Sequence, residues 1–166
     1  MMIRRERAPD RPEILALIEA AFPEGVEAHL LRELFAAREY IPELSLVAES
    51  PDGAVLGHVI STRAWIGDTP ALGLGPLGVL PARQGRGVGS ALVKASIGAA
   101  NGLGEPAIVL LGSTEYYPRF GFVPADSVGI ASPDPSWGSH FMALPLAAFH
   151  PGIRGRFRYA EPFNRL

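Results

Sequence analysis

The chain has 166 residues, a formal net charge of −2 at pH 7 and no cysteine. Its length suits one domain, since a chain of about 150 residues buries roughly 70% of its unfolded surface. The lack of cysteine excludes disulfides, thiolate nucleophiles and cysteine zinc sites, and the small negative charge predicts no nucleic-acid partner. No run reaches the roughly 18 apolar residues of a membrane span and no signal peptide is evident, so we expect a cytoplasmic protein without membrane contact.

The first half of the chain predicts one strand, two helices and a set of antiparallel strands. The strand is predicted over residues 2–7, and a helix follows Asp10, which has the spacing of a capping box with Glu13. A second helix is predicted from Val26 to about Arg38. The β-rich segments 44–50, 55–66 and 71–80 are separated by the turn sequences SPDGA and GDTP, which indicates a hairpin or a meander.

The second half predicts a strand–helix–strand unit followed by short strands. Apolar residues at helical spacing predict a helix from Val88 that ends at Asn101-Gly102, and AIVLLG predicts a buried strand after it. Further strands are predicted at Phe122 and in SHFMALPLA, which we expect to be the last strand. The order of elements indicates the α+β class and a single domain over residues 1–166, with residues 148–166 as its C-terminal extension. The alternating arginines of that extension, Arg154, Arg156 and Arg158, favour a solvated edge.

Glycine is concentrated in LPARQGRGVGSALV, just where the helix after the strands begins. The first amides of a helix have no partners within it and carry a partial positive charge. Because glycine has no Cβ, a bulky anion can approach those amides closely. The run therefore predicts a phosphate cradle, with Arg83 and Arg86 as additional cations, while a glycine-rich turn without a ligand stays the alternative. A nucleotide P-loop and a dinucleotide fingerprint are both excluded, since the lysine of the first and the glycine spacing of the second are missing.

Two blocks of the sequence resemble the GCN5-related N-acetyltransferase (GNAT) family. In QGRGVG, Gln84, Gly87 and Gly89 occupy the family motif Q/R-x-x-G-x-G/A, and EYYPRFGF resembles its second motif, in the expected order. Together with LGLGPLGVLP, the blocks are similar to a bacterial, YhbS-like branch of the family. The resemblance implies the GNAT fold: a central, mostly antiparallel twisted sheet with a splayed strand pair and helices on both faces.

The same resemblance implies an acetyl-CoA-dependent N-acetyltransferase that acts on a primary amine of a small molecule or a protein by direct attack on the thioester. Tyr117, four residues before Gly121, occupies the position of the family tyrosine near the sulfur, where a hydrogen bond to the leaving thiolate suffices. The resemblance also implies the cofactor contacts, which are strand residues that pair with the pantetheine arm, loop residues that hold the pyrophosphate, and one further serine. These residues are Leu77, Gly78, Val79, Gln84, Gly85, Arg86, Gly87, Val88, Gly89, Ser90 and Ser113. Acetyl-CoA is the only expected co-substrate, and the scattered histidines predict no metal site.

The general base is left open by the sequence. Many relatives carry a glutamate on the strand before the loop, whereas ALGLGPLGVL has no ionisable group. His58, Glu33, Glu115 and water are the candidates, although core packing is favoured for His58 and a solvated helix face for Glu33. We interpret Tyr116 as a packing residue. Packing is also favoured for Trp65 and Trp137, with the lining of an acceptor pocket as the alternative. The missing glutamate also keeps open a non-catalytic acyl-CoA-binding sensor or interaction protein of the same fold, and a homodimer is common in the family.

Overall fold

The computed structural model describes residues 1–166 and is built around a twisted sheet of nine strands. The strands are β1 Met2–Arg5, β2 Ser45–Glu49, β3 Val55–Ile66, β4 Thr69–Val79, β5 Ala107–Leu111, β6 Val123–Pro124, β7 Ile130–Ala131, β8 Phe141–Pro145 and β9 Gly155–Arg158. The helices are α1 Arg11–Ala21, α2 Val26–Phe35 and α3 Val88–Gly102. None of them combines the length and apolar character that crossing a membrane requires.

The sheet order is β1-β2-β3-β4-β5-β8-β6, with β9 added to β3 and β7 added to β9. Neighbouring strands run antiparallel except for two parallel pairs, β4 with β5 and β7 with β9. β4 and β5 pair only at Leu72 with Ile108 and at Gly73 with Val109, and beyond those positions they no longer pair. The predicted α+β class, the mostly antiparallel sheet and the splayed strand pair are therefore confirmed.

Helices cover both faces of the sheet, as predicted. A Cβ on Gly57 would meet Leu92 of α3 at 3.0 Å, whereas a Cβ on Gly78 would meet Ile18 of α1 at 2.5 Å. Gly78 pairs with His58, the neighbour of Gly57, and adjacent strand positions point to opposite faces. The glycine at position 78 thus lets α1 rest directly on the backbone of β4, beside the point where β4 leaves β5.

A bulge in β4 lies just beyond the end of the β4–β5 pairing. Leu77 pairs with Val59 and Leu74 pairs with Ser61, so Gly75 and Pro76 together stand opposite one residue of β3. Bulges bend a strand and locally disrupt its ladder. The bulge therefore marks the position at which β4 turns away from β5 and opens the sheet.

Several local predictions need correction. The capping box is wrong: the Asp10 carboxylate accepts the Arg7 amide at 2.7 Å and pairs with Arg4, while Glu13 accepts the Val55 amide at 2.8 Å. A distant strand therefore uses the carboxylate that the local pattern assigned to the helix start. The helix α2 ends before Arg38, β1 is shorter than predicted, and SHFMALPLA is not the last strand, because β9 follows it and pairs with β3.

Candidate active site

The glycine loop before α3 presents a series of unpaired amides. Gly85 and Gly87 have φ angles of 74° and 86°, a backbone conformation that residues with a Cβ rarely adopt. Ala91 is the first residue of the helix whose amide bonds within the chain, to the Gly87 carbonyl at 3.0 Å. The amides of residues 85–90 donate to no protein acceptor. Such a loop at a helix N-terminus is suited to a phosphate or diphosphate.

The loop and β4 form the two walls of a cleft of about 460 Å³. The cleft brings together nine of the eleven residues predicted to contact the cofactor, namely Leu77, Gly78, Val79, Gln84, Gly85, Gly87, Val88, Gly89 and Ser90. The side chains of Arg86 and Ser113 lie outside it, and the Ser113 hydroxyl instead accepts the Glu115 amide at 3.2 Å. Of the two loop cations predicted, only Arg83 lines the cleft.

The β4 wall offers backbone groups to a ligand. The Leu80 amide donates to the Leu56 carbonyl of β3 at 2.9 Å, and peptide groups alternate in direction along an antiparallel strand. The peptide groups of Leu77 and Val79 therefore face away from β3, towards the gap. The Gln84 side chain bonds the Val79 carbonyl at 3.2 Å from that side. An extended ligand can pair with this edge of β4 as an added strand would.

Two residues of the second motif, Tyr116 and Arg119, line the same cleft, although the sequence pattern predicted neither as a site residue. The Tyr116 hydroxyl lies 3.2 Å from the Ser90 hydroxyl, so its interpretation as a packing residue was incomplete. Arg119 stacks 4.6 Å from the centre of the Tyr116 ring and donates to the Tyr116 carbonyl at 2.9 Å. Arg119 belongs to the short 3₁₀ segment Tyr117–Phe120 and Tyr116 directly precedes it, so the two residues are three apart and share a face. That spacing was the available signal for Arg119.

Tyr117 lies at the end of β5, across the gap from β4. A Cβ on Gly112, the residue after β5, would come within 2.5 Å of the Tyr117 ring, and Phe122 packs against that ring edge-on at 5.7 Å. The hydroxyl makes no hydrogen bond with the protein and is not sealed from solvent. Burial, with Tyr116 alongside, raises the pKa of Tyr117 to about 12. The group therefore stays protonated and can donate a hydrogen bond near neutral pH.

A larger cleft of about 1580 Å³ opens on the other side of the β4 bulge. Leu74, Gly75 and Pro76 line it, and the residues that follow them in β4 line the smaller cleft, so the two clefts meet along one strand. α2 and the C-terminal segment supply most of the other lining residues. Trp65 and Trp137, for which the lining of an acceptor pocket is the alternative to packing, both form part of this surface.

The candidate bases occupy very different environments. His58 is fully buried against the Ser45 hydroxyl at 2.9 Å, and burial lowers its pKa to about 3. It touches neither cleft and is no base for an incoming amine. Glu115 is exposed and also lines neither cleft. Glu33 lines the larger cleft, but Arg165 pairs with its carboxylate and lowers its pKa.

The family follows from the comparison with known proteins. The model of the acetyltransferase (GNAT) family matches residues 11–122, and the chain belongs to this family. It is 34% identical over 161 residues to the uncharacterized N-acetyltransferase YjhQ of Escherichia coli, covering 92% of this chain and 88% of that one. It is 33% identical to the uncharacterized N-acetyltransferase YhbS of the same organism over 99% of both chains.

Solved structures of the family share the fold of the whole chain. The crystal structure of E. coli YhbS in complex with CoA superposes with a TM-score of 0.89 at 32% identity, covering 99% of this chain and 92% of that one. A GNAT acetyltransferase from Brucella melitensis in complex with acetyl-CoA gives a TM-score of 0.80 at 36% identity, over 98% and 97% of the two chains.

Proposed function

We propose that this protein is an acetyl-CoA-dependent N-acetyltransferase that transfers the acetyl group to a primary amine bound in the larger cleft. The observation that carries the proposal is the run of unpaired amides at residues 85–90, next to a β4 edge that has parted from β5. The relatives that bind CoA and acetyl-CoA in their crystal structures support the same co-substrate here.

The smaller cleft has the groups that a coenzyme A molecule requires. The loop amides face the diphosphate, and Arg83 and Arg119 on the same cleft add positive charge. The pantetheine arm pairs with the free edge of β4 at Leu77 and Val79. The thioester then lies at the β4 bulge, where the smaller cleft meets the larger one. Tyr117 faces this position from the β5 side of the gap.

The chemical step needs a neutral amine, a stabilised oxyanion and a leaving thiolate. The amine nitrogen attacks the thioester carbon, the N–C bond forms and the C–S bond breaks. The free amide of Leu77, which is the gap-facing residue of β4 nearest the bulge, donates to the developing oxyanion. Proton transfer from Tyr117, with a pKa of about 12, to a thiolate of reference pKa 8.5 runs uphill by about 5 kcal/mol. Tyr117 therefore donates a hydrogen bond, and the thiolate takes its proton from the attacking nitrogen.

Release of the thiol tests this function directly. Because the chain has no cysteine, a thiol-specific reagent added to protein, acetyl-CoA and an amine detects only coenzyme A. We expect at least one member of a broad panel of primary amines to accelerate thiol release, with the acetylated amine found by mass spectrometry. Acetyl-CoA binding without transfer to any amine would favour the alternative of an acyl-CoA sensor. A protein that binds no acetyl-CoA would contradict both functions.

A further inference from the structure

One wall of the larger cleft carries a buried carboxylate without a cationic partner. Glu39 is only 8% exposed, and its Oε2 accepts the Glu161 amide at 2.8 Å. Its Oε1 bonds to no protein atom and is not sealed from solvent. Glu39 takes part in no ion pair, whereas the other buried glutamate, Glu6, is paired with Arg11. Buried charges in proteins are almost always paired, so the pairing of Glu39 is incomplete within the chain.

Glu39 lies in line with the point where β4 and β5 part. Its carbonyl accepts the amide of Arg63 in β3 at 3.0 Å, Arg63 is the partner of Leu72 in β4, and Leu72 is the partner of Ile108 in β5. With a strand spacing of about 4.8 Å, the Glu39 backbone is roughly 10 Å from that of β4. A glutamate side chain and a bound amine together can span that distance.

Aromatic side chains surround the same end of the cleft. A Cβ on Gly73 would lie 2.9 Å from the Tyr159 ring, so this ring covers β4 at its last pairing position. Phe163 stacks on Tyr159 at 4.5 Å and Trp137 meets it edge-on at 6.4 Å. The Tyr159 hydroxyl makes no hydrogen bond with the protein and is not sealed from solvent. This wall suits an apolar or aromatic body next to the carboxylate.

The other charges of the cleft are either compensated or more exposed than Glu39. Arg165 pairs with both Glu33 and Glu161, and Arg158 lies over the Trp65 ring at 5.1 Å. Glu27 and Arg38 line the cleft without an ion pair, but both are more accessible to water. Glu39 is thus the buried negative charge of the cleft that has no cation of its own.

We infer that the Glu39 carboxylate binds the ammonium group of the acceptor, which selects cationic amines with an apolar or aromatic body. This inference rests on the proposed function, because it assigns the acceptor to the larger cleft. An ammonium on Oε1 makes a charge-assisted hydrogen bond in a partly dry site, which is stronger than the same contact at the surface. Glu39 is therefore a specificity-determining residue that binds the acceptor as its ammonium, and the ammonium gives up this proton to water before the neutral nitrogen attacks the thioester.

A pair of probes of similar size and shape tests the inference without knowledge of the natural acceptor. 2-Phenylethylamine is a cation at pH 7.5, whereas 2-phenylethanol is neutral. Each is titrated calorimetrically into the protein saturated with CoA. We expect the wild type to bind the amine at least about tenfold more tightly than the alcohol, as for a charge-assisted bond. Equal affinities, or no binding of either probe, would overturn the inference.

Single substitutions of individual glutamates in the cleft complete the test. Glu39→Gln keeps an oxygen for the Glu161 amide but removes the charge, and it should reduce the preference for the amine to less than about threefold. Glu27→Gln removes a charge from the same cleft and should keep the wild-type preference, as should the conservative Glu39→Asp. Full preference in Glu39→Gln would overturn the inference. Parallel titrations with acetyl-CoA separate the two proposals, because wild type and Glu39→Gln should bind it equally even where the probes fail.

Discussion

Gly112 and Tyr117 form a close contact at the end of β5: a Cβ at position 112 would lie 2.5 Å from Cε2 of the tyrosine ring. A real Cβ does not tolerate such a distance, so the glycine is what allows the ring to take this position. Tyr117 is thereby held beside the gap between β4 and β5, with its hydroxyl free of protein partners. The proposed contact between this hydroxyl and the sulfur depends on that placement.

The replacement Gly112→Ala should displace the Tyr117 ring and slow acetyl transfer. We expect kcat to fall by about tenfold, the loss of one well-placed hydrogen bond, while the affinity for acetyl-CoA changes little. The assay is thiol release with the most active amine of the panel. Gly102→Ala is the control, because a Cβ there would meet nothing within 4 Å and should leave kcat unchanged. Wild-type kcat in Gly112→Ala would contradict the assigned position of the ring.

Tyr117→Phe should lower kcat by about 10- to 100-fold, the usual worth of a hydrogen bond to a charged group. Because the pKa of Tyr117 is raised to about 12, the wild-type hydroxyl stays protonated up to at least pH 10. In a profile of kcat against pH, ionisation of Tyr117 should therefore cause no fall in wild-type activity near pH 10. Wild type and Tyr117→Phe should have profiles of the same shape in that range. A fall in wild-type activity near pH 10 that is absent from Tyr117→Phe, or full activity in the phenylalanine variant, would exclude Tyr117 as the donor.

The cations at the coenzyme cleft give a third prediction, which distinguishes Arg119 from Arg86. Arg119 lines the cleft and Arg86 does not, although the sequence pattern favoured Arg86. We expect Arg119→Gln to weaken acetyl-CoA binding by about five- to tenfold, and Arg86→Gln by less than about twofold. Calorimetric titration at two salt concentrations measures both effects. A larger loss of affinity in Arg86→Gln than in Arg119→Gln would show that Arg86, rather than Arg119, contacts the phosphates.

His58 predicts how stability depends on pH. Burial lowers its pKa from 6.5 to about 3, so the unfolded chain binds a proton at a higher pH than the folded chain does. The stabilisation that neutral His58 gives the folded state is complete above pH 6.5 and is lost as the pH falls towards 3. Between pH 6 and 4.5 the free energy of unfolding should fall by up to about 1.4 kcal/mol per pH unit.

Chemical denaturation at several pH values measures this slope. In His58→Gln the slope should be largely absent, because glutamine does not titrate, even if the variant is less stable at every pH. His140→Gln serves as the control, since it replaces an exposed histidine in place of the buried one. An unaltered slope in His58→Gln would mean that other groups cause the acid sensitivity.

The sequence predicted those parts of the fold that local patterns determine. β3 has the predicted bounds because turn-forming residues flank it on both sides, and α3 has them because its apolar stripe is regular. The glycine loop was predicted from the same local logic. Most of the residues expected around the coenzyme do line one cleft, because they lie in two short stretches that the fold brings face to face.

The missed features depend on contacts between distant parts of the chain. Glu13 serves β3 rather than its own helix, which no local pattern indicates. Nothing in EYYPRFGF tells which of two adjacent tyrosines faces Ser90. Glu39 follows a helix and resembles any surface acid, and its burial depends on a segment that comes more than a hundred residues later. Periodicity and residue spacing do not predict long-range packing of this kind.

Two glycines with the same backbone geometry offer the most direct test of the coenzyme site. Gly87 and Gly25 both precede a helix with a φ angle of 86°, and a Cβ on either would meet nothing within 4 Å. The replacements Gly87→Glu and Gly25→Glu should therefore cause similar backbone strain, but only the first puts a carboxylate at the proposed diphosphate site.

The decisive measurement is calorimetric titration of acetyl-CoA into the wild type and these two variants. We predict one acetyl-CoA bound per chain for the wild type and for Gly25→Glu, and no measurable binding for Gly87→Glu at an unchanged fold by circular dichroism. Wild-type affinity in Gly87→Glu would contradict the account, because the amides at the start of α3 would then not hold the coenzyme.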